Sequence, residues 1–223
     1  MDSVKLVEAA AGMAPTGTGS YSYWAYADVV VENLAFDKIV GVWGHQPLGN
    51  LWTLHTGTYQ RSLPGNRELW RVQVGGTPID RFAVQYQVLG SVFWDNNFGH
   101  DYFMDAPAAQ QQDGTGTALI ASPVQVTSSF NNAGTLEVGV LVQDLAFAKQ
   151  VGIRYTASSW AAFNDAFGAY VRDYPPPSTP AQVSAEYWRV TIPVGASHGE
   201  FAAFYRVNND SYWDNDFSLN FRF

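Results

Sequence analysis

Two four-residue stretches concentrate the groups that could do chemistry: Trp94-Asp95-Asn96-Asn97 and Trp213-Asp214-Asn215-Asp216. Each sets an indole beside amides. An aromatic face can receive the C–H side of a sugar ring through dispersion and buried area, while neighbouring amides donate to and accept from hydroxyls. The alternative is that the tryptophan packs into a core and the asparagines only shape a loop. Catalytic readings are poorer. Asp95 and Asp214 have no evident second carboxylate for acid–base work, and an Asp in this setting commonly binds backbone amides in a turn. His45, His55, His100 and His198 fall in no metal-ligand spacing, and neither a Gly-x-Ser-x-Gly elbow nor a phosphate-cradling glycine loop occurs. Zero cysteines exclude disulfides, thiolate catalysis and cysteine-ligated zinc. The expectation is a non-enzyme without metal or cofactor.

The elements that must position these motifs also come in duplicate. Leu34-Ala35-Phe36-Asp37-Lys38 returns as Leu145-Ala146-Phe147-Ala148-Lys149, Leu69-Trp70-Arg71-Val72 as Tyr187-Trp188-Arg189-Val190, and Phe82-Ala83-Val84-Gln85-Tyr86 as Phe201-Ala202-Ala203-Phe204-Tyr205. Phe36 and Phe147 lie 111 positions apart and Trp94 and Trp213 lie 119 apart, so about eight residues were gained in intervening loops. A repeat of this length implies tandem domains, since solenoid repeats run to roughly 20–50 residues. The domains read as 1–105 and 118–223, joined by a linker over 106–117 with no apolar period. Period-two runs over 28–32, 40–43, 70–74 and 82–88, and again over 136–142, 151–155, 188–192 and 201–207, are strands. Val4-Lys5-Leu6-Val7 opens the first copy as a strand where Val124-Gln125-Val126-Thr127 opens the second, and 160–170 holds at most a helical turn. Seven or eight strands per copy make an all-β chain of two tandem immunoglobulin-like antiparallel β-sandwiches, with a small closed barrel as the other solution.

A net charge of −8, with the 12 Lys and Arg residues scattered, argues against nucleic acid and anionic membrane as partners. No apolar run approaches the roughly 18 residues that cross a bilayer. Met1–Ala11 contains Asp2 and lacks an uncharged apolar stretch of signal-peptide length, which places the protein in the cytoplasm or among proteins released without a recognisable signal peptide. Oligomeric state is not legible.

Pooled from the two copies, Asn33-Leu34-Ala35-Phe36-x-Lys38, a tryptophan in the following loop, Glu200-Phe201-Ala202-x-x-Tyr205, and Trp94-Asp95-Asn96-x-x-Gly99-x-x-Tyr102 resemble the family 21 carbohydrate-binding modules. These are the starch-binding domains of some fungal glucoamylases and the glycogen-binding domains of phosphatase-targeting subunits. The resemblance implies an immunoglobulin-like sandwich that binds α-glucan without metal. Carried over, the principal site uses Trp52, Trp94, Asn96, Asn97 and the closing Asp101 in the first copy, and Trp160, Trp213, Asn215, Asp216 and Asn220 in the second. A secondary surface uses Phe36, Lys38, Tyr59 and Glu68, and Phe147, Lys149, Tyr170 and Glu186. For Phe36 and Phe147 a core role is equally open. Ala83 and Ala202 stand where some members carry a stacking tyrosine, Asp101 replaces an expected Asn, and Ser218 replaces the glycine at Gly99, so another glycan remains open. The reading is a bivalent, lectin-like binder of polysaccharide or oligosaccharide. Two alternatives are a phosphatase-targeting scaffold and a binding region appended to an enzyme. The scaffold would need a short basic-Val-x-Phe docking segment, and the nearest sequence, Arg71-Val72-Gln73-Val74, ends in Val.

Overall fold

Alternating β-branched and aromatic residues leave one face of each strand apolar, and two such faces closing on each other form the core. The computed structural model describes residues 3–17, 19–104, 115–174, 183–195 and 198–223. The chain divides into two compact units, the first running to Ala121 and the second beginning at Ser122.

The first unit contains β1 (Val4–Pro15), β2 (Tyr21–Glu32), β3 (Lys38–Gln46), β4 (Leu51–Leu63), β5 (Arg67–Gly76), β6 (Arg81–Val88), β7 (Ser91–Asp95), β8 (Tyr102–Phe103) and β9 (Thr115–Ile120), with a 3-10 turn at Asn97–Gly99. Its strands run in the order β7-β6-β3-β4-β5-β2-β1-β9, with β8 added to β6, and every pairing is antiparallel. The terminal strands of this order do not pair with each other, so the sheet curls into two layers without closing as a barrel. β4 serves both layers, pairing with β3 up to Thr56 and with β5 from Gly57. The crossing needs glycine: a Cβ at Gly57 would lie 3.0 Å from Val72 Cγ2 and 3.2 Å from the Arg71 carbonyl.

The second unit contains β10 (Val124–Asn132), β11 (Thr135–Gln143), β12 (Lys149–Thr156), β13 (Asn164–Phe167), β14 (Ala169–Tyr174), β15 (Ala185–Pro193), β16 (Glu200–Val207), β17 (Asp210–Asp214) and β18 (Phe221–Arg222). Here the layers are separate sheets, β10-β11-β15-β14 and β13-β12-β16-β17, with β18 on β16. Gly168 interrupts the crossing strand, and its added Cβ would meet Val190 Cγ2 at 3.2 Å and the Arg189 carbonyl at 3.3 Å. These are the counterparts of the Gly57 neighbours, so one crossing is continuous in the first unit and broken in the second. The expected turn within 160–170 is confined to its start, where Ala161 N donates to the Ser158 carbonyl at 3.1 Å, and strand follows.

Val29, Val31, Val72, Val84 and Tyr86 in the first unit, and Val138, Val140, Val190, Phe201 and Tyr205 in the second, are wholly buried. The buried Tyr86 and Tyr205 hydroxyls donate to the carbonyls of Glu32 (2.7 Å) and Gln143 (2.8 Å), which satisfies them inside an apolar core, and burial pushes both phenols above their ordinary pKa.

Two boundaries differ from the sequence reading. Residues 115–120, placed partly in the linker and partly in the second domain, form β9 on β1 of the first unit, and the second unit begins at Ser122. Residues 106–114 lie outside the described residues. Most of the length gained between the copies falls between Tyr174 and Ala185, since the spacing is 111 between Leu63 and Tyr174 and 118 between Arg67 and Ala185; residues 175–182, on which the expected loop falls, lie outside the described residues.

Candidate functional site

The carboxylates of the two motifs hold the backbone in place. Asp95 Oδ2 accepts from Leu6 N at 2.8 Å and Asp214 Oδ2 from Val126 N at 2.7 Å, tying the end of β7 to β1 and of β17 to β10. Their Oδ1 atoms accept from Asn97 N (3.4 Å) and Asp216 N (3.1 Å), and Asp95 also accepts from the Tyr102 hydroxyl at 2.8 Å. Burial and the Asp95 charge hold the Tyr102 phenol well above its usual pKa. These are the turn-forming aspartates anticipated from sequence, with an added link to a neighbouring strand.

The loops that follow are tightly wound. Asn97, Phe98, Gly99 and Asp101 have positive φ in the first unit, as do Asp216, Phe217, Ser218 and Asn220 in the second. Side-chain amides sustain this: Asn96 Oδ1 accepts from Gly99 N and Asn215 Oδ1 from Ser218 N, both at 3.0 Å, and Asn97 Nδ2 donates to the Asp101 carbonyl at 3.1 Å. Such left-handed clusters store strain that concentrates at functional sites. Asn96, Asn97 and Asn215 therefore each commit part of their hydrogen-bonding capacity to loop shape. The indoles are left outside the core: Trp94 is 49% and Trp213 43% exposed.

In the second unit Trp160, Trp213, Asn215 and Asn220 converge, with Ala202 and Arg154, on a surface cavity of about 390 Å³, within the size range of sugar- and drug-sized ligands. Asp216 is not among the lining residues. The Trp160 indole N–H donates to Glu200 Oε2 at 2.6 Å, and Asn220 Nδ2 donates to the same oxygen at 3.2 Å. Trp213 rests on Phe204, ring centroids 5.7 Å apart. Arg154 was not anticipated. Its Nε and Nη2 donate to Asp165 at 2.7 and 2.9 Å, holding the Asp165 carboxyl below its ordinary pKa, and its guanidinium lies 5.2 Å over Trp213 and 4.2 Å over Phe163. The 111-residue spacing, which places Arg154 at the position of Trp43 and Phe163 at that of Trp52, was the available signal.

Trp52 lies within β4 itself, where the sequence reading placed a loop. Register makes it the counterpart of Phe163, because Thr53 faces Gly44 as Asn164 faces Tyr155; Trp160 aligns with Gly49. Yet the two indoles approach corresponding pairs. The Trp52 ring is 5.2 Å from His45 and 5.4 Å from the Arg81 guanidinium, and these residues face each other across β3 and β6. Trp160 N donates to Thr156 Oγ1 at 3.2 Å and its indole to Glu200, and these face each other across β12 and β16. His45 sits between two acceptors, Asn50 Oδ1 2.8 Å from Nε2 and Asp80 Oδ1 2.6 Å from Nδ1, and those hydrogen bonds raise its pKa.

The secondary surface separates into exposed rings and buried charges. Phe36 and Phe147 are 97% and 102% exposed, which excludes a core role. Tyr59 and Tyr170 are half-exposed and meet Trp70 and Trp188 edge-on at 6.0 and 5.8 Å. Lys38 and Lys149, expected beside the sugar, have side chains only 3% exposed. Lys38 Nζ donates to Glu68 (2.8 Å) and Asn33 (2.6 Å), and Lys149 Nζ to Glu186 (2.6 Å) and Asp144 (2.5 Å). The Trp70 and Trp188 indoles donate to the same glutamates at 2.9 and 2.8 Å. These four charged residues are thus consumed internally. Among the described residues no cluster of His, Cys, Asp and Glu could hold a metal ion.

An all-β unit carrying exposed indoles and amides around a surface cavity has the architecture of a recognition module. Residues 119–223 match the carbohydrate/starch-binding module of family 21. Protein phosphatase 1 regulatory subunit 3B of Rattus norvegicus is 36% identical over 93 residues, which are 40% of this chain and 30% of that protein. Human regulatory subunit 3E is 34% identical over 77 residues, 34% of this chain and 26% of that protein. The chain thus spans under a third of the length of these curated relatives. Among solved structures, the starch-binding domain of Rhizopus oryzae glucoamylase in complex with β-cyclodextrin and maltoheptaose is 22% identical, covering 48% of this chain and 95% of that one with a TM-score of 0.36. The carbohydrate-binding module of the muscle glycogen-targeting subunit of protein phosphatase-1 is 18% identical, covering 45% and 74%, also with a TM-score of 0.36.

Proposed function

We propose that the protein is a non-catalytic carbohydrate-binding protein with one principal glycan site in each unit and α-glucan as the ligand. The observation that carries this is the second-unit cavity, where Trp160, Trp213, Asn215 and Asn220 meet within the residues that match family 21. A glucose ring laid on Trp213 buries its C–H face against the indole, and Asn215 and Asn220 supply directional hydrogen bonds at its rim. In the first unit Trp94 and Trp52 offer the stacking faces and Asn96, Asn97 and Asp101 shape the loop beside Trp94. Phe36 with Tyr59, and Phe147 with Tyr170, form the secondary contacts, supported from beneath by the buried lysine–glutamate pairs. Shallow sugar sites bind in roughly the micromolar to millimolar range, and two linked sites raise apparent affinity for a polymer by about 10²–10⁴-fold when both can engage.

A second reading, a lectin for a different glycan, is favoured by Ala83 and Ala202 and by the exchange of Arg81 for Glu200 beside the two indoles. The phosphatase-targeting reading draws on the relatives' names alone: Val72 and Val74 of the nearest docking-like segment are buried in β5. Sedimentation with insoluble starch tests the proposal. Wild type is expected in the pellet, and the Trp94→Ala/Trp213→Ala double variant in the supernatant with its fold intact by circular dichroism. Undiminished sedimentation of the folded double variant overturns the assignment.

A further inference from the structure

Arg154 is the one charged residue that lines the cavity, and neither ring stacking nor loop geometry accounts for it. It projects from β12, where the first unit carries Trp43, an uncharged ring. Asp165 engages only Nε and Nη2, which fixes the plane of the guanidinium and leaves the two N–H groups of Nη1 outside that pair. The group already lies over Trp213, the ring on which the sugar is proposed to stack. Its charge is balanced locally. Arg206 Nη2 also reaches Asp165, at 3.3 Å, and Glu200 supplies a second carboxylate bonded to two lining residues, Trp160 and Asn220. The Arg154 guanidinium already has a bidentate counter-ion in Asp165, so its pairing does not call for an anionic ligand.

We propose that Arg154 is a specificity-determining residue of the second unit, whose Nη1 donates a hydrogen bond to one oxygen of a neutral hexose seated on Trp213. This rests on the glycan-binding reading above and goes beyond it by assigning the two units unequal sugar recognition. Trp43 offers no guanidinium fork at the equivalent place, so the first unit lacks this discrimination. A site built to hydrogen-bond a given hydroxyl rejects the analogue lacking it, because the donor is then left unpaired.

The test is an NMR titration of the full chain, its first site silenced by Trp94→Ala, with methyl α-maltoside and its singly deoxygenated analogues. Arg154→Met keeps the aliphatic stem and removes the donors. It should weaken binding of the parent sugar by about 10-fold or more. One deoxy analogue should bind wild-type and Arg154→Met second sites equally, because the hydroxyl and the donor have the same lost bond in common. Asp165→Asn, which loosens the guanidinium without removing it, should weaken all analogues together and preserve the discrimination. A uniform loss across all analogues for Arg154→Met would show that Arg154 only supports the ring, and overturns the proposal. If Arg154→Met fails to fold, Arg154→Lys carries the same test, since its ammonium cannot make the Nη1 bond while held by Asp165. Trp213→Ala separates the two layers: maltoside binding unchanged in that variant removes the glycan site itself, whatever Arg154 does.

Discussion

The two units solve one problem with different residues. Trp52 reaches His45 and Arg81 from within a strand, whereas Trp160 reaches Thr156 and Glu200 from a loop, and the two tryptophans are not register equivalents. What persists is a place between β3 and β6, or β12 and β16, where an indole is held at the surface. The chemistry around it has diverged: a guanidinium and an imidazole in one unit, a carboxylate and a hydroxyl in the other. The scaffold residues beneath did not diverge. Asp95 and Asp214 bind the same backbone amides, Tyr86 and Tyr205 the same carbonyls, and Lys38 and Lys149 the same glutamates. Duplicated positions kept by structure thus stand apart from positions free to change the ligand.

The largest expected effect breaks that shared scaffold and exposes a hidden asymmetry. Lys38 has Glu68 as its carboxylate and an amide, Asn33, as its other partner, whereas Lys149 has both Glu186 and Asp144. Removing one partner of a buried pair costs about 3–5 kcal/mol when the remaining charge is stranded. Glu68→Ala should destabilise the first unit by that amount, and Glu186→Ala should destabilise the second by clearly less, read by chemical denaturation. Equal losses would mean that Asp144 does not support Lys149. Next in size are the stacking rings. Trp213→Ala and Trp94→Ala should each abolish one site, a loss of about 2 kcal/mol or more at that site, without lowering the melting temperature. A melting temperature that falls steeply would return that tryptophan to the core.

Smaller effects sharpen the comparison at the loops. Ser218 holds φ 77° where the first unit has Gly99 at φ 93°. Ser218→Gly should stabilise the second unit by about 1 kcal/mol, and Gly99→Ser should destabilise the first by a similar amount, both measured by thermal melts. The smallest effect is one of pH and belongs to the first unit alone. His45 has a folded pKa above its unfolded value of about 6.5, so its contribution to stability is complete below that value and fades as pH rises through the folded pKa. Tryptophan fluorescence from Trp52 should follow that titration, and His45→Gln should remove it. Thr156, at the same position in the second unit, predicts no such response there.

Much of this was legible in the chain because strand alternation and an ordered repeat are local signals. The strands follow from them, and the polar, loop-like setting of the motifs marks Trp94 and Trp213 as exposed and the aspartates as turn formers; the grouping of Trp160 with Asn215 and Asn220 is what the resemblance to family 21 modules implies. Other features depend on pairing register, which sequence spacing does not carry. The linker reading over 106–117 overlaps the start of β9 because that stretch has no apolar period, and only its pairing with β1 marks Thr115–Ile120 as a strand. The resemblance assigns Lys38 and Lys149 to a sugar surface, and only the fold reveals that both are buried against Glu68 and Glu186. Arg154 escapes sequence reasoning because its neighbours lie on β13, on β17 and in the loop before β13.

Isothermal titration of the full chain with maltoheptaose tests the central claim most directly. Two sites per chain, falling to one in Trp94→Ala or Trp213→Ala, is the predicted result. No saturable heat from the folded protein at millimolar sugar would contradict α-glucan recognition by these two units.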